Sequence, residues 1–340
     1  MSNPEDYWVG WVCATATEYV AAQAFLDDKH DGLASYDNQD DNVYTLGRIG
    51  VHNVVIASLP CSNYGLVSAS RVAKDMMRTF KNVRFGLMVG IGGGSPTAKQ
   101  DIRLGDVVVS SHSGEHGAVL QYDFGKTLQG RDFKITGHQN APPTILQAAI
   151  QAVKAEYQMQ GNRIHELVEN VLSKYPRLRK KYQRPDPATD RLVRSDSVHV
   201  GGSDGKCPSC NGLGDATLVP RKPRGEDEDN PKVHYGLIAS ANQVMKDALV
   251  RDRLAEEKGV LCFEMETAGL MNQFKCLVIR GICDYSDSHK SEDWRGYAAI
   301  VAAASDDTSG WLLLPEPSAN YARALGRRHE NTGQWFLDSN

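Results

Sequence analysis

The chain has 340 residues, of which 41% are hydrophobic and 24% charged, enough for one large core or two modest ones and outside the range of disordered chains. A formal net charge of -4 and a sequence pI near 6.2 exclude a broad basic surface for nucleic acid and leave only local anion sites. No apolar run approaches the roughly 18 residues that cross a bilayer, and MSNPEDYW lacks the blocks of a secretory leader, so the expected location is cytoplasmic and the expected partner a small molecule.

Residues 7–14 (YWVGWVCA) read as a buried strand and residues 18–27 as the helix that follows. Residues 51–59 and 84–90 form two more apolar runs, with an amphipathic helical stretch at 67–80 between them, and 107–110 (VVVS) continues the pattern. Runs apolar on both faces and alternating with helices predict an α/β fold with a mixed, largely parallel central sheet, whose ligands gather at the carboxyl ends of the strands. From about 159 to 231 the chain turns polar, with KYPRLRKKYQR, GGSDGK and RKPRGEDEDN, and is expected to form an insertion over the core. Order returns with a strand at 233–240, a helix at 243–258 and core elements at 260–269 and 276–283. The expected organisation is one domain over 7–313 followed by a tail or linker at 314–340.

Seven cysteines, an odd number and mostly in apolar runs, indicate reduced, buried thiols. Cys207 and Cys210 stand in CPSC with metal-like spacing, yet structural zinc takes four ligands and no second such pair exists. No metal and no organic cofactor is expected.

Three apolar runs close on acids: VGWVCATATE on Glu18, VLCFEME on Glu264 and Glu266, and CLVIRGICD on Asp284. A buried carboxylate is costly unless paired, and any one of these acids has an ordinary use as a helix cap or ion-pair partner. Three together suit a harder task. Breaking a glycosidic C–N bond requires protonation of the leaving base, stabilisation of a cationic sugar and delivery of a nucleophile, all of which carboxylates do. The glycine run GIGGGSP at 90–96 is expected to turn after its strand and bring backbone amides close to a ligand, Gly92 and Gly93 among them. It does not fit the dinucleotide fingerprint, because Ser95 stands where the third glycine belongs, and GGSDGKC is too short for a Walker A loop.

With those residues in hand, the chain resembles the purine nucleoside phosphorylase and methylthioadenosine nucleosidase superfamily, and within it the nucleoside phosphorylase-like domain at the N-terminus of fungal NACHT-type receptors. The resemblance runs through VGWVCATATE, YGLVSASRVAKDM, RFGLMVGIGGG, DIRLGDVVVS, QYDFGK, HYGLIASANQVM, GVLCFEMETAGL and CLVIRGICDYSDSH, and RHENTGQWFLDSN resembles the linker before the receptors' ATPase module. It implies a three-layer fold and a homo-oligomer. It also implies that Asp284 protonates or hydrogen-bonds N7 of a departing purine, that Glu266 holds the ribose hydroxyls with Met265 beneath the sugar, and that Glu18 activates water. Phe263, Val244 and Met245 fall where the base is held, and Thr15 where the 5′ group lies.

The same resemblance bears on the nucleophile. Phosphorylases of this type carry an arginine in the first loop and another before the glycine run. Here ATATE offers a carboxylate, and Met88 precedes the glycines. A carboxylate repels phosphate but serves water as a base, so hydrolysis of purine nucleosides or nucleotides is expected, with ATP among the candidates. Lys290, Arg295 and Arg184 are the nearest candidates for 5′-phosphates, together with His289, Lys180, Lys181 and Arg191. Two other readings remain: a phosphorylase using Arg48, Arg103 or a neighbouring subunit, and a nucleotide-sensing module without catalysis.

Overall fold

The computed structural model describes residues 1–33, 39–112, 117–131, 133–137, 141–199 and 217–307. In chain order the elements are β1 (Val9–Cys13), α1 (Ala16–Ala24), β2 (Asp28–Lys29), β3 (Tyr44–Ile49), β4 (His52–Ser58), α2 (Leu66–Thr79), β5 (Phe85–Gly94), β6 (Val107–Ser110), β7 (Val119–Gln121), β8 (Gly125–Lys126), β9 (Lys134–Ile135) and α3 (Thr144–Gln160). There follow α4 (Ile164–Lys174), α5 (Arg179–Tyr182), β10 (Val233–Ser240), α6 (Ala248–Lys258), β11 (Val260–Glu264), β12 (Cys276–Asp284) and α7 (Arg295–Asp307).

The strands rich in apolar residues are the most deeply buried. β1 and β11 are buried at every position, and β12 is buried at every position but its last. They belong to a mixed sheet ordered β11-β10-β6-β12-β5-β1-β4-β3-β2, with β7 beside β10. Neighbours β1–β4, β1–β5, β12–β5, β10–β6 and β10–β11 are parallel, whereas β12–β6, β3–β4 and β2–β3 are antiparallel. β11 also pairs with β5, antiparallel, through Cys262 opposite Gly94 and Phe263 opposite Gly93. The strands β11, β10, β6, β12 and β5 therefore close on themselves, and the far end of β5 touches both β11 and β12.

Helices flank this sheet. α7 lies on β5 and β12 with α1, α4 and α5 beside it. Its alanines from Ala298 to Ala304 are almost fully buried, and small side chains let the helix approach the strands closely. The large core side chains include Trp11, Ile56, Leu87 and Met88, each about 1.5–3 kcal/mol of burial for a residue of the aliphatic size.

Three expectations change. The glycine run is not a turn: Gly90–Gly94 continue β5, because β12 and β11 supply ladder partners on its two sides. α6 begins at Ala248, five residues later than the apolar pattern suggests, where Asp247 caps it by accepting from Leu249 and Val250 N–H. Part of the polar stretch 159–231 packs into the core, since Ile164, Val168, Val171 and Leu172 form one helical stripe on α4, joined there by Tyr182 and Leu192. The surrounding charges conceal that stripe in the sequence.

Cys13, Cys262, Cys276 and Cys283 are buried free thiols, while Cys61 is exposed, against expectation. Cys207 and Cys210 lie outside the described residues. Among the described residues no helix is long and apolar enough to cross a membrane.

Candidate active site

Glu18 owes its position to the start of α1. Thr15 caps the helix by accepting from Glu18 N–H at 3.3 Å, and the Glu18 carboxylate reaches back to accept from Thr15 N–H at 2.7 Å and Ala14 N–H at 2.8 Å. This is a capping box, so the ordinary structural use of the residue is real. Its other oxygen does something a cap does not require: it accepts from Ile91 N–H of β5 at 2.8 Å. The acid is thus clamped between helix and sheet, 3% exposed.

Opposite Gly90 in the β5–β12 register stands Arg280, which is fully buried. A side chain on Gly90 would begin 2.4 Å from Arg280 Nη1 and 2.5 Å from Glu18 Oε1. Only glycine allows a cation and an acid to face the same point above the strand. Arg280 Nη2 donates to Glu264 and, at 3.1 Å, to Thr267 Oγ1, and it lies 3.9 Å from Glu266 Oε2. Its Nε and Nη1 find no partner among the described residues.

Glu264 is a structural counter-ion, saturated by Arg280, the N–H groups of Glu266 and Thr267, and the Thr267 hydroxyl. Glu266 is different. Burial, then the charge of Glu264, push its carboxyl up to about 7, with Arg280 opposing and Glu18 adding a little. Glu266 thus stands near its protonation boundary at neutral pH, beside the buried Arg280 cation.

Asp284 ends β12 after an irregularity in register between Ile282 and Asp284, which re-aims the side chain. Its Oδ1 accepts from Ser286 N–H at 2.8 Å and lies 3.2 Å from Lys290 Nζ, while the Cys283 thiol donates to Oδ2 at 3.3 Å. A side chain on Gly93 would meet Asp284 Oδ1 at 2.5 Å and the Ser286 hydroxyl at 2.1 Å. Glu18 and Asp284 therefore stand over the two ends of Gly90–Gly93 of one strand, and Glu266 approaches them through Arg280.

The other expected residues divide. Thr15 adjoins Glu18, Gly92 backs onto the Phe263 carbonyl, and half-buried Met265 lies beside Glu266, to whose carboxylate its N–H donates at 3.3 Å. Phe263 and Met245 are buried with Tyr122 in a small separate cluster, where Tyr122 meets Phe263 edge-on. Val244 is 50% exposed. Of the three expected phosphate contacts, Lys290 sits on Asp284, Arg295 pairs with Glu292 at the start of α7, and Arg184 donates to Asn230 at 2.7 Å. Arg48 and Arg103, the phosphorylase alternatives, pair with Asp28 and Asp101. A surface groove of about 750 Å³ runs along α2 between Leu66 and Gln273, lined by none of the three acids.

Sequence reasoning missed Arg280. The signal was present, for it is the one charge inside CLVIRGIC, and a cation in a doubly buried strand needs an acid nearby.

No family model matches the chain. A curated protein of Hyaloscypha variabilis, a nucleotide-binding leucine-rich repeat (NLR)-like protein, is 48% identical over 301 residues, a match that takes in 88% of this chain and 29% of that protein. The chain thus spans under a third of the length of the curated relative it matches. Among solved structures, the 5′-methylthioadenosine/S-adenosylhomocysteine nucleosidase of Neisseria meningitidis in complex with methylthio-immucillin-A superposes with a TM-score of 0.53 at 15% identity, over 90% of this chain and 97% of that one. The futalosine hydrolase of Helicobacter pylori gives 0.51 at 14%, over 90% and 97%. The nucleosidase of the same organism gives 0.51 at 14%, over 90% and 98%. The chain shares the fold of these solved nucleosidases, and it is similar in sequence to an NLR-like protein.

Proposed function

We propose that the protein hydrolyses the N-glycosidic bond of purine nucleosides or nucleotides, releasing free base and ribose or ribose phosphate. The observation that carries this reading is the point above Gly90, faced at once by the Glu18 carboxylate and by an Arg280 guanidinium, two of whose nitrogens find no partner among the described residues. A water bound there is oriented by Arg280 and gives its proton to Glu18. Glu266, beside Arg280, accepts from the ribose hydroxyls. Asp284 lies three residues along the strand, about 10 Å, a span that a nucleoside laid on β5 covers with its base over Gly93.

The charge balance supports water over phosphate. Arg280 is already shared between Glu264 and Glu266, and Lys290, the cation at the other end of the site, is held by Asp284. An incoming phosphate would meet a net negative wall. For the 5′ end we propose an adenosine-type nucleotide, ATP included: Lys181, which donates to Thr17 Oγ1 at 2.8 Å in the first turn of α1, offers an ammonium for phosphate oxygens.

Base release from adenosine, inosine, guanosine and ATP in phosphate-free buffer, followed by chromatography, tests the reading. Hydrolysis predicts free base without added phosphate and no ribose 1-phosphate; release that needs phosphate makes the protein a phosphorylase. The NLR-like relative favours one second reading, a nucleotide-sensing module, which binding without any base release would establish.

A further inference from the structure

Resting on the nucleosidase reading, we propose that Lys290 is a positioning residue for the leaving base and the source of the proton that departs with it, passed on through Asp284. The hydrogen bonds around Asp284 all run inward. Oδ1 takes the Ser286 N–H at 2.8 Å and faces the Lys290 ammonium at 3.2 Å, and Oδ2 takes the Cys283 thiol. Donors on both oxygens complement the acceptor-only form of a carboxylate. The ammonium that touches Asp284 Oδ1 is a proton source in direct contact with the base end of the site.

The turn that brings Lys290 back over Asp284 is built for the purpose. Ser286 takes a left-handed conformation at φ 53°, uncommon for a residue with a side chain. Asp287, 4% exposed, accepts from His289 N–H at 2.8 Å and lies 3.7 Å from the Arg251 guanidinium. Arg251, itself buried, also donates to the Tyr285 carbonyl at 2.7 Å, which pins the turn from beneath. Lys290 emerges with 24% of its side chain exposed, near enough to solvent to be recharged. This placement differs from that of a phosphate ligand, whose charge would be left open toward the substrate.

The step balances. The C1′–N9 bond breaks and its electron pair goes to the purine; N7 takes a proton from Asp284, which takes one from Lys290. Water forms the new bond to C1′ and yields a proton to Glu18; Glu18 releases that proton to solvent, and solvent returns one to Lys290.

The test is Lys290→Ala assayed with and without added cations on the purine substrate that the wild type cleaves. General-acid assistance contributes about 10²–10⁴ in rate, so kcat is expected to fall about 100-fold with little change in KM. Methylammonium, which fits the vacated space and carries a proton, is expected to restore kcat at least about tenfold, while tetramethylammonium, with the same charge and no proton to give, restores nothing. Unchanged kcat, a rise in KM alone, no rescue, or equal rescue by both cations overturns the proposal. A wild type that releases no base from any purine substrate overturns the nucleosidase reading instead, and is told apart by that control.

Discussion

Glu266 is placed under opposing demands by its surroundings. Burial and the neighbouring Glu264 raise its carboxyl from 4.5 to about 7, so the folded protein holds that proton over a range where the unfolded chain has released it. Between those values the unfolded state binds fewer protons, and stability therefore falls as pH rises. The shift corresponds to at most about 3 kcal/mol. The ionised form accepts from both ribose hydroxyls at once, where the protonated acid gives up one acceptor to its own O–H, so base release is expected to climb through about pH 7 while stability declines. Urea unfolding and base release measured from about pH 5 to pH 8 check both trends, and Glu266→Gln is expected to abolish base release and flatten the stability curve over that range. The residues around it were unevenly legible. The three acids stood out because apolar runs ended in them, whereas Arg280 and Lys290 acquire meaning only from what they face.

At the scale of elements, α2 shows how local pattern and distant contact share the work. Its apolar stripe is plain in the sequence, but its first turn has no side-chain cap of its own, since Gly65 holds the N-cap position at φ 100°. The cap comes from 176 residues away: Asn242 Oδ1 accepts from Leu66 N–H at 3.1 Å, and Asn242 N–H is fixed by Asp123 at 2.8 Å. Asn242→Ala is expected to lower stability by about 1 kcal/mol, and Asn242→Asp to recover most of it because the acceptor remains and its charge suits a helix N-terminus. Urea midpoints of the three proteins decide this; equal midpoints for wild type and alanine variant would deny the cap a role. The glycine run teaches the complementary lesson. Local preference reads five residues rich in glycine as a turn, yet partners on both sides hold them as strand, and what glycine contributes is room for Glu18, Arg280 and Asp284 against the backbone.

Across the whole molecule, Asp106 ties the end of the polar stretch to the core. It accepts from Arg224, from Lys232 N–H at 3.0 Å and from His234 at 2.9 Å, the Arg224 and His234 side chains both nearly buried. Burial alone would raise its carboxyl, but Arg224 and His234 outweigh it and leave it lowered to about 2. A carboxyl lowered on folding contributes stability above its unfolded value of 3.8, and that contribution is lost as pH falls toward 2. Asp106→Asn is expected to cost about 3 kcal/mol at neutral pH, because Arg224 is left buried without its counter-ion, and to cost progressively less below about pH 4. Thermal unfolding at neutral and acid pH measures the difference, and an equal loss at both would rule out the ion pair as its cause.

The amino-acid order alone determined the α/β class, the central strands and the three acids, because burial on both faces demands continuous apolar runs and a buried charge has to be explained. It did not determine that β5 runs on through its glycines, that α4 carries a core stripe within a polar stretch, that Arg280 sits between Glu18 and Glu266, or that Lys290 folds back onto Asp284. Each of those depends on partners far away in the chain. Pairing, burial and charge balance are properties of neighbours in space, and only the folded structure chooses the neighbours.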